Sequence, residues 1–476
     1  MKFNQWTLGL AAVGIVSLAT VAQAEENAVN SAFAGLTMSG AVETSASINT
    51  ARNGALPGRS FDGADRQDGF NFNSARLTLE KAVSEDQFAA GFRTDFVYGP
   101  DADAFYGGNS PIKQAYVALR APVGNGIDIK MGVFDTPIGY EQFDSGSNPN
   151  FSRSYGFLIE PNHHTGVLAS YKIVDALSVS AGVANSYNGV SGDFNGRNGR
   201  SDGRFVRPAL DWQGLPILDD LGNPTSEPNG FRQDEGRLTY MATVKLTLPE
   251  GAGALKGSTI DLGIIHGKDA QVARVGRTLI AVIDDPLTLI NEAAENQAAV
   301  PSDKATTSYY VGTTINTGIT GLTLGAAFDY RRNEIEQEDG TVLGNTDADP
   351  VFNNAARNNT YAVAGYVSYA VTEKLKLNAR YDIMRGNYPV RDGFGDIALF
   401  DENPIPTTTT ADDTTHRERL RLQSLTLTAQ YDIWANVLTR LEGRWDHGSG
   451  DSRRDFGASQ TSNDAFTIAA DVIYKF

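Results

Sequence analysis

The chain has 476 residues, with 40 Lys and Arg against 57 Asp and Glu, no Cys, and 41% hydrophobic residues. The lack of Cys excludes disulfides, Cys-ligated zinc and iron–sulfur clusters. Beyond residues 1–24 no stretch approaches the ~18 consecutive apolar residues of a membrane-spanning helix, which excludes a helical membrane protein.

The N-terminal segment, residues 1–24, has the pattern of a secretory signal peptide. Lys2 gives a positive start, an apolar run follows over residues 8–19, and Ala22-Gln23-Ala24 forms a small-residue cleavage site. A buried N-terminal helix is the alternative. We expect export and cleavage after Ala24, which removes one positive charge and changes the net charge from −17 to −18. Residues 25–35 would then form a periplasmic stub.

From residue 36 onward, short segments alternate apolar and polar residues with the period of two that is typical of β-strands. In residues 375–384, for example, Leu375 and Leu377 share one face while Lys376 and Asn378 share the other. Sixteen such strands are predicted, of which 111–120 and 165–171 are ambiguous in phase. Their ranges are 36–48, 70–81, 87–98, 111–120, 127–134, 165–171, 177–185, 237–248, 259–266, 307–316, 322–331, 360–370, 375–384, 421–433, 437–445 and 465–476.

The connections between these strands alternate in length. Those after even-numbered strands are short, such as 371–374 and 434–436, and those after odd-numbered strands are long, such as 135–164 and 186–236. Tight turns at one end and long polar loops at the other are typical of outer-membrane barrels, with the turns in the periplasm and the loops outside the cell.

We therefore predict an all-β fold over residues 36–476, a single transmembrane antiparallel up-and-down β-barrel of about 16 strands. A soluble β protein is the alternative, but sixteen strands would enclose a lumen too wide to fill with side chains. A count of 14 or 18 also stays open, since a hairpin around 278–283 or one false strand would change it.

The last strand ends on alternating apolar residues that finish with Tyr474 and Phe476. This ending resembles the C-terminal signal that the barrel assembly machinery recognises. An ordinary edge strand would instead leave a long apolar edge exposed, which favours aggregation.

The segment from Met131 to Glu141 resembles the G-x-F-x-T-P-x-G-x-E segment of the OmpL-like β-barrel porins, as does the earlier run Ser74-Ala75-Arg76-Leu77. The resemblance implies a pore-forming barrel of the outer membrane, and it carries no catalytic residues to this chain.

Charged residues on the polar faces of the strands are candidates for the wall of a water-filled lumen. Both signs are present, and many would pair across strands and brace the wall. The basic candidates are Arg76, Arg93, Lys130, Arg380, Arg440 and Arg444.

The third long loop, 135–164, is the candidate constriction, because it resembles in position the loop that folds into the lumen of general porins. Acidic loop residues facing a basic wall would create a transverse field that sorts solutes by charge. The alternative is a loop packed outside that only shields the mouth. The candidate residues are Asp135, Glu141, Asp144, Arg153 and Glu160.

The sequence therefore predicts a porin for passive diffusion of small hydrophilic solutes and ions. A substrate-specific channel, or a closed barrel that anchors surface-binding loops, stays open. We expect no enzyme, since no His lies in a recognisable catalytic motif, and no cofactor or metal, since the side chains of adjacent His163 and His164 point apart. Expected partners are outer-membrane lipids, the barrel assembly machinery and two further copies in a homotrimer, with no nucleic acid.

Overall fold

Sixteen antiparallel strands form a closed barrel in a computed structural model. The model describes residues 35–50, 68–86, 88–102, 112–188, 238–268, 305–333, 358–388, 418–449 and 462–476. Each strand pairs with its chain neighbours, and the last pairs with the first, so the predicted fold is confirmed. The strands are β1 (Leu36–Asn49), β2 (Gly69–Lys81), β3 (Ala90–Tyr98), β4 (Ile112–Ala121), β5 (Ile127–Asp135), β6 (His163–Val174), β7 (Leu177–Ala184), β8 (Thr239–Thr247), β9 (Thr259–Lys268), β10 (Ala305–Asn316), β11 (Leu322–Asn333), β12 (Asn358–Ala370), β13 (Leu375–Tyr388), β14 (Glu418–Trp434), β15 (Val437–Gly448) and β16 (Asp464–Lys475).

The strands turn apolar side chains outward and polar side chains inward. On β13, Leu377 and Tyr381 are exposed on the outer face, whereas Arg380 and Asp382 are buried on the inner one. This alternation lets a chain with few apolar residues present a continuous apolar band to lipid. Closure pairs the backbone groups of every strand, as the hydrocarbon region requires.

The two ends of the chain meet where the barrel closes. Val42 of β1 lies opposite Tyr474 of β16. The backbone N–H of Phe476 donates to the carbonyl oxygen of Gly40 (3.0 Å), and Gly40 N–H donates back (2.9 Å). A Cβ at Gly40 would collide with the Phe476 ring and the Arg76 carbonyl, so this close approach requires glycine.

Short and long connections alternate as predicted, which defines a short-turn end and a long-loop end of the barrel. Residues 175–176 and 435–436 are two-residue turns between strands. Asn436 has a φ of 66°, a left-handed conformation that Asn tolerates better than most residues. Residues 1–34 and the hairpin considered around 278–283 lie outside the described residues.

Irregular pairing explains why the segment 111–120 is ambiguous in phase. In β4, Gln114 lies opposite Asp95 while Ile112 lies opposite Phe96, so Lys113 is an extra residue in a β-bulge. A second irregularity follows Lys172 in β6, after the ambiguous segment 165–171, and so does not account for the ambiguity there. A bulge shifts the alternation by one residue, which a period-two pattern cannot detect.

The helical segments that the structure describes are short. Helix α1 is Tyr155–Ile159, and 3₁₀ segments cover Ser145–Ser147 and Glu250–Leu255. Among the described helices, none is long and apolar enough to cross a membrane.

The outward apolar band predicts that a new charge lowers the free energy of unfolding much more on the outer face than on the lumen face. Leu427 is 57% exposed near the middle of the outer face of β14. L427R should lower the free energy of unfolding in lipid vesicles by about 2–4 kcal/mol, because it places a charge in hydrocarbon. S180K, on the lumen face of β7, should change it by less than about 1 kcal/mol. Equal losses measured by urea titration would contradict the assigned faces.

Candidate functional site

The connection between β5 and β6 crosses the inside of the barrel, and we call residues 136–162 the crossing loop. In the closed order of strands, β13 and β14 lie opposite β5 and β6. Arg380 on β13 donates hydrogen bonds to the carbonyl oxygens of Ser152 (2.6 Å) and Arg153 (3.0 Å). The loop therefore reaches the wall farthest from the strands that carry it.

Apolar contacts hold the first part of the crossing loop. Ile138 is buried in a cluster that includes Met241 of β8. A Cβ on Gly263 of β9 would collide with Ile138, so glycine leaves the room that this side chain fills. Farther along, Tyr140 stacks on Tyr366 of β12 with ring centroids 4.4 Å apart.

A buried ion pair fixes the loop against β13. Arg380 Nη1 lies 2.8 Å from Glu141 Oε1, and Arg380 Nε lies 3.0 Å from Asp382 Oδ1 on the same strand. All three side chains are almost fully buried. Removing one partner of a buried pair costs about 3–5 kcal/mol, because the other charge is left without compensation. Glu141 and Arg380 therefore determine where the loop lies.

Arg440 on β15 anchors the next stretch of the loop. Its Nη2 lies 2.7 Å from Asp471 of β16, and its Nη1 donates to the carbonyl oxygens of Ser145 (2.9 Å), Asn148 (3.2 Å) and Asn150 (3.0 Å). The planar guanidinium has five donors, so one side chain can bind a carboxylate and several carbonyl groups together.

Arg444, also on β15, completes the set of three wall arginines. It is held by Asp446 on the same strand (2.7 Å) and donates to the carbonyl oxygen of Arg153. Asp446 in turn accepts a hydrogen bond from the Tyr155 hydroxyl (2.8 Å). The guanidinium also lies over the Tyr155 ring, 5.2 Å from its centroid. Helix α1 is thus fixed at its first residue.

Wall carboxylates satisfy backbone N–H groups of the loop. Glu442 accepts hydrogen bonds from the N–H groups of Phe151 (2.7 Å) and Ser152 (3.0 Å), and Asp382 accepts from Tyr155 N–H (3.0 Å). An irregular segment away from water needs such partners, since unpaired buried backbone groups are costly. The wall and the loop are therefore complementary in hydrogen bonding.

Asp144 carries the loop to the wall formed by β1 and β2. Its carboxylate lies 2.8 Å from Arg76 Nη2 and accepts from the Ser147 hydroxyl (2.9 Å). Burial alone would raise the pKa of Asp144, but Arg76 and Ser147 together hold it below its usual value. Asp144 is therefore ionised at neutral pH.

Glu160 near the end of the loop meets a second carboxyl group, Asp329 of β11. Burial, followed by the charge of Asp329 and their shared hydrogen bond, raises the pKa of Glu160 well above its usual value. Two carboxyl groups that share a hydrogen bond hold one proton between them more easily than they both ionise. The charge of this pair therefore changes at a higher pH than that of an ordinary carboxyl group.

Asp135, Arg93 and Lys130 lie apart from these anchors, whereas Arg153 meets them through its carbonyl oxygen. Asp135 pairs with Lys113 of β4 at 2.5 Å. Arg93 pairs with Asp95 (3.1 Å), and Lys130 lies over the Tyr116 ring, 4.9 Å from its centroid. The Arg153 side chain turns back onto its own loop, because its donors bind the carbonyl oxygens of Gln142, Phe143 and Phe151.

The adjacent histidines are buried where the loop rejoins β6. His164 contacts the Thr136 hydroxyl at 3.4 Å and packs against the Phe134 ring. In the part of the chain that the structure describes, no group of three or more metal-ligating side chains comes together.

The structure thus brings Glu141, Asp144, Arg380, Arg440 and Arg444 to one interface between loop and wall. The sequence analysis did not identify Asp446, Asp471 or Tyr155. A signal was available for one of them: Arg380-x-Asp382 and Arg444-x-Asp446 have the spacing that puts two side chains on the same face of a strand.

The comparisons agree with this architecture. Residues 35–204 and 257–476 match the model of the family described as "Putative beta-barrel porin-2, OmpL-like". The chain belongs to this family. It is accordingly a porin of the outer membrane, and its family and fold are those of a channel rather than an enzyme.

Solved porin structures are similar to this chain at low sequence identity. The trimer form of OmpT, an outer membrane protein of Vibrio cholerae, is 11% identical, with a TM-score of 0.50 over 93% of this chain and 99% of that one. The anion-selective porin of Comamonas acidovorans is 10% identical, with a TM-score of 0.49 over 93% and 99%. No curated protein matches the sequence.

The Glu160–Asp329 contact predicts a pH dependence of stability. The pKa of Glu160 is raised in the folded protein. Its contribution to the free energy of unfolding is therefore fully present below the pKa of the unfolded state and is lost as the pH rises through the pKa of the folded state. The slope for one proton is at most about 1.4 kcal/mol per pH unit. E160Q keeps a hydrogen-bonding group that does not titrate, so its melting temperature should fall less with rising pH.

The matched control is E250Q, at an exposed position in the turn after β8. It should follow the wild-type dependence when heat-induced unfolding is measured from mildly acidic to alkaline pH. Parallel curves for wild type and E160Q would contradict a shared proton at this contact.

Proposed function

We propose that the protein forms a water-filled channel for passive diffusion of small hydrophilic solutes and ions, and that the passage runs beside the crossing loop along β3 to β8. The observation that supports this is an asymmetry of exposure. Three residues from the short-turn end, the lumen-facing side chains of Asn378 on β13 and Arg440 on β15 are buried under the loop. At the same height on the opposite side, Lys130 on β5 and Ser180 on β7 are only half-buried.

The lining of the proposed passage suits hydrophilic solutes. Ser170 and Ser180 face the lumen and share a hydrogen bond of 2.8 Å. Charges of both signs stand nearby, including Arg93 with Glu80 (3.2 Å) and Lys245 with Asp261 (3.3 Å). Hydroxyl groups and partly solvated ion pairs interact with water as well as with solutes, which favours general diffusion over one tight binding site.

In this proposal the predicted loop and wall charges do not create a transverse field across a water-filled gap. Glu141 with Arg380, and Asp144 with Arg76, are in direct contact, so no water-filled gap separates these charges. Solutes would instead pass between the crossing loop and the wall that carries Arg93 and Lys130. The constriction is then formed by the loop's position, while its charged residues mainly hold it there.

The first experiment is single-channel conductance of the purified protein in a planar bilayer under a salt gradient. We expect discrete steps of stable conductance, and the reversal potential gives the sign of ion selectivity. A flat trace from protein shown to be folded and inserted would contradict the porin proposal. The closed barrel that anchors surface-binding loops would then be favoured.

A cysteine pair tests the position of the passage, since the chain contains no Cys of its own. S180C lies in the proposed passage, whereas T426C, also on the lumen face, is fully buried beside Arg380. A negatively charged methanethiosulfonate reagent should modify S180C within minutes and reduce the conductance by roughly half, because the added group narrows and recharges the path.

T426C is the matched control and should react at least tenfold more slowly, with no change in current before modification. Faster reaction at T426C than at S180C would show that the open path lies on the β13 to β15 side of the loop, which would contradict the proposed passage.

Three further expectations belong to this proposal. They are cleavage of the signal peptide after Ala24, an assembly role for Tyr474 and Phe476, and a homotrimer. Tyr474 points outward and its ring lies 6.2 Å from that of Phe476, which supports an accessible aromatic pair at the end of β16. The trimer form of the Vibrio cholerae protein shares this fold.

A further inference from the structure

Two glycines on the lumen face of the wall make room for the crossing loop. They are Gly263 of β9 and Gly325 of β11, and neither has the positive φ that would require glycine for its backbone conformation. A Cβ on Gly263 would collide with Ile138, and a Cβ on Gly325 would collide with the Tyr140 hydroxyl. Since glycine weakens a strand relative to alanine, its presence inside a strand indicates a close approach by another group, and here that group is the loop.

A third lumen-facing glycine, Gly166 of β6, is required by the wall itself and shows the difference. A Cβ there would collide with the carbonyl oxygen of Val183 on the neighbouring strand β7. At Gly325, by contrast, the three nearest atoms all belong to the loop. At Gly263 the nearest atom of another strand, the Thr243 methyl group, would lie 3.4 Å from the new Cβ, which is an ordinary contact distance. These two positions are therefore small because of the loop and not because of the barrel.

Gly325 is the centre of a row of wall residues that holds the Tyr140 side chain. Its cross-strand neighbours are Thr314 of β10 and Tyr366 of β12. The Thr314 hydroxyl donates to the Tyr140 hydroxyl (3.4 Å), and the Tyr366 ring stacks on the Tyr140 ring with 4.4 Å between centroids. The loop tyrosine therefore lies across three wall residues, with the glycine in the middle.

Gly263 is the centre of a second row, which holds Ile138. Its cross-strand neighbours are Thr243 of β8 and Tyr310 of β10. Ile138 is buried in the same apolar cluster as Tyr310. Because Ile138 and Tyr140 are two residues apart in the chain, the two rows hold one short segment of the loop against the wall from β8 to β12.

The wall lies on one side of this segment and the lumen on the other, so the depth at which its side chains sit determines how far the loop projects into the lumen. Protein interiors are packed so closely that one added methyl group displaces its neighbours. We propose that Gly263 and Gly325 are specificity-determining residues, which set the largest solute that passes beside the loop by letting Ile138 and Tyr140 sit close to the wall. This inference rests on the proposed diffusion channel and names the wall positions that determine its width.

The test measures the entry of uncharged sugars of increasing size, so that the charge of the solute does not contribute. The purified protein is reconstituted in liposomes, and swelling rates are recorded in arabinose, glucose, sucrose and raffinose. The measured quantity is the rate for the largest sugar that the wild type admits, divided by the rate for arabinose. G263A and G325A should each lower this ratio by about threefold or more, because a displaced loop narrows the passage and slows the larger solute more strongly.

G443A is the matched control. It adds the same methyl group on the outer face of β15, where nothing beyond its chain neighbours lies within 4 Å of the new Cβ, so the ratio should equal that of the wild type. The double variant I138A/G263A is a rescue, because it removes the Ile138 atoms that the new methyl group meets. Its ratio should return toward the wild-type value, whereas a purely structural defect would be worsened by this second loss in a buried cluster.

If G263A does not reach the folded form, G325A gives the same test through Tyr140. An unchanged ratio in either folded variant, or a ratio in I138A/G263A that is no closer to the wild type than that of G263A, would overturn the inference while the channel proposal stands. Liposomes that contain folded wild-type protein and swell in none of the sugars would contradict the channel itself, so the two failures are distinguishable.

Discussion

Everything in this structure depends on the pairing of backbone hydrogen-bonding groups away from water. In hydrocarbon, strands can satisfy their N–H and C=O groups only by closing on themselves, and here β16 closes on β1. Closure fixes the alternation of side chains, because each strand then has one face toward lipid and one toward the lumen. It also fixes the backbone of Phe476 against Gly40, since the last residue must complete the ladder.

The same requirement governs the crossing loop, which brings irregular backbone into the lumen. Only some of its N–H and C=O groups pair with one another, as Ser147 N–H does with the carbonyl oxygen of Asp144, so the wall provides partners for others. Arg380 and Arg440 donate to its carbonyl oxygens, and Glu442 accepts from its N–H groups. Each wall arginine is itself neutralised by a nearby wall carboxylate such as Asp382 or Asp471, which makes the burial of so many charges tolerable.

The sequence predicted the barrel well because closure leaves a local signature. Alternation and the two classes of connection can be read within a few residues of each position, and a bulge such as the one at Lys113 in β4 disturbs the pattern only locally. The contacts of the loop leave no such signature. Glu141 and Arg380 are separated by 239 positions, and Tyr155 and Asp446 by 291. A polar lumen face looks the same in sequence whether it meets water or a loop.

Whether a charged lumen side chain meets water or the loop determines how strongly it acts on a permeating ion. The net charge of −17 includes carboxylates such as Glu141 and Asp471, whose partners lie within hydrogen-bond distance and away from water. An ion on the proposed path would be separated from these pairs by part of the loop, and opposite charges in contact produce only a weak field at a distance. Partly solvated side chains such as Arg93 and Lys245 stand nearer the proposed path. The few charges on that side therefore matter more to a permeating ion than the larger number on β13 to β16, and the overall acidity of the chain does not by itself favour cations.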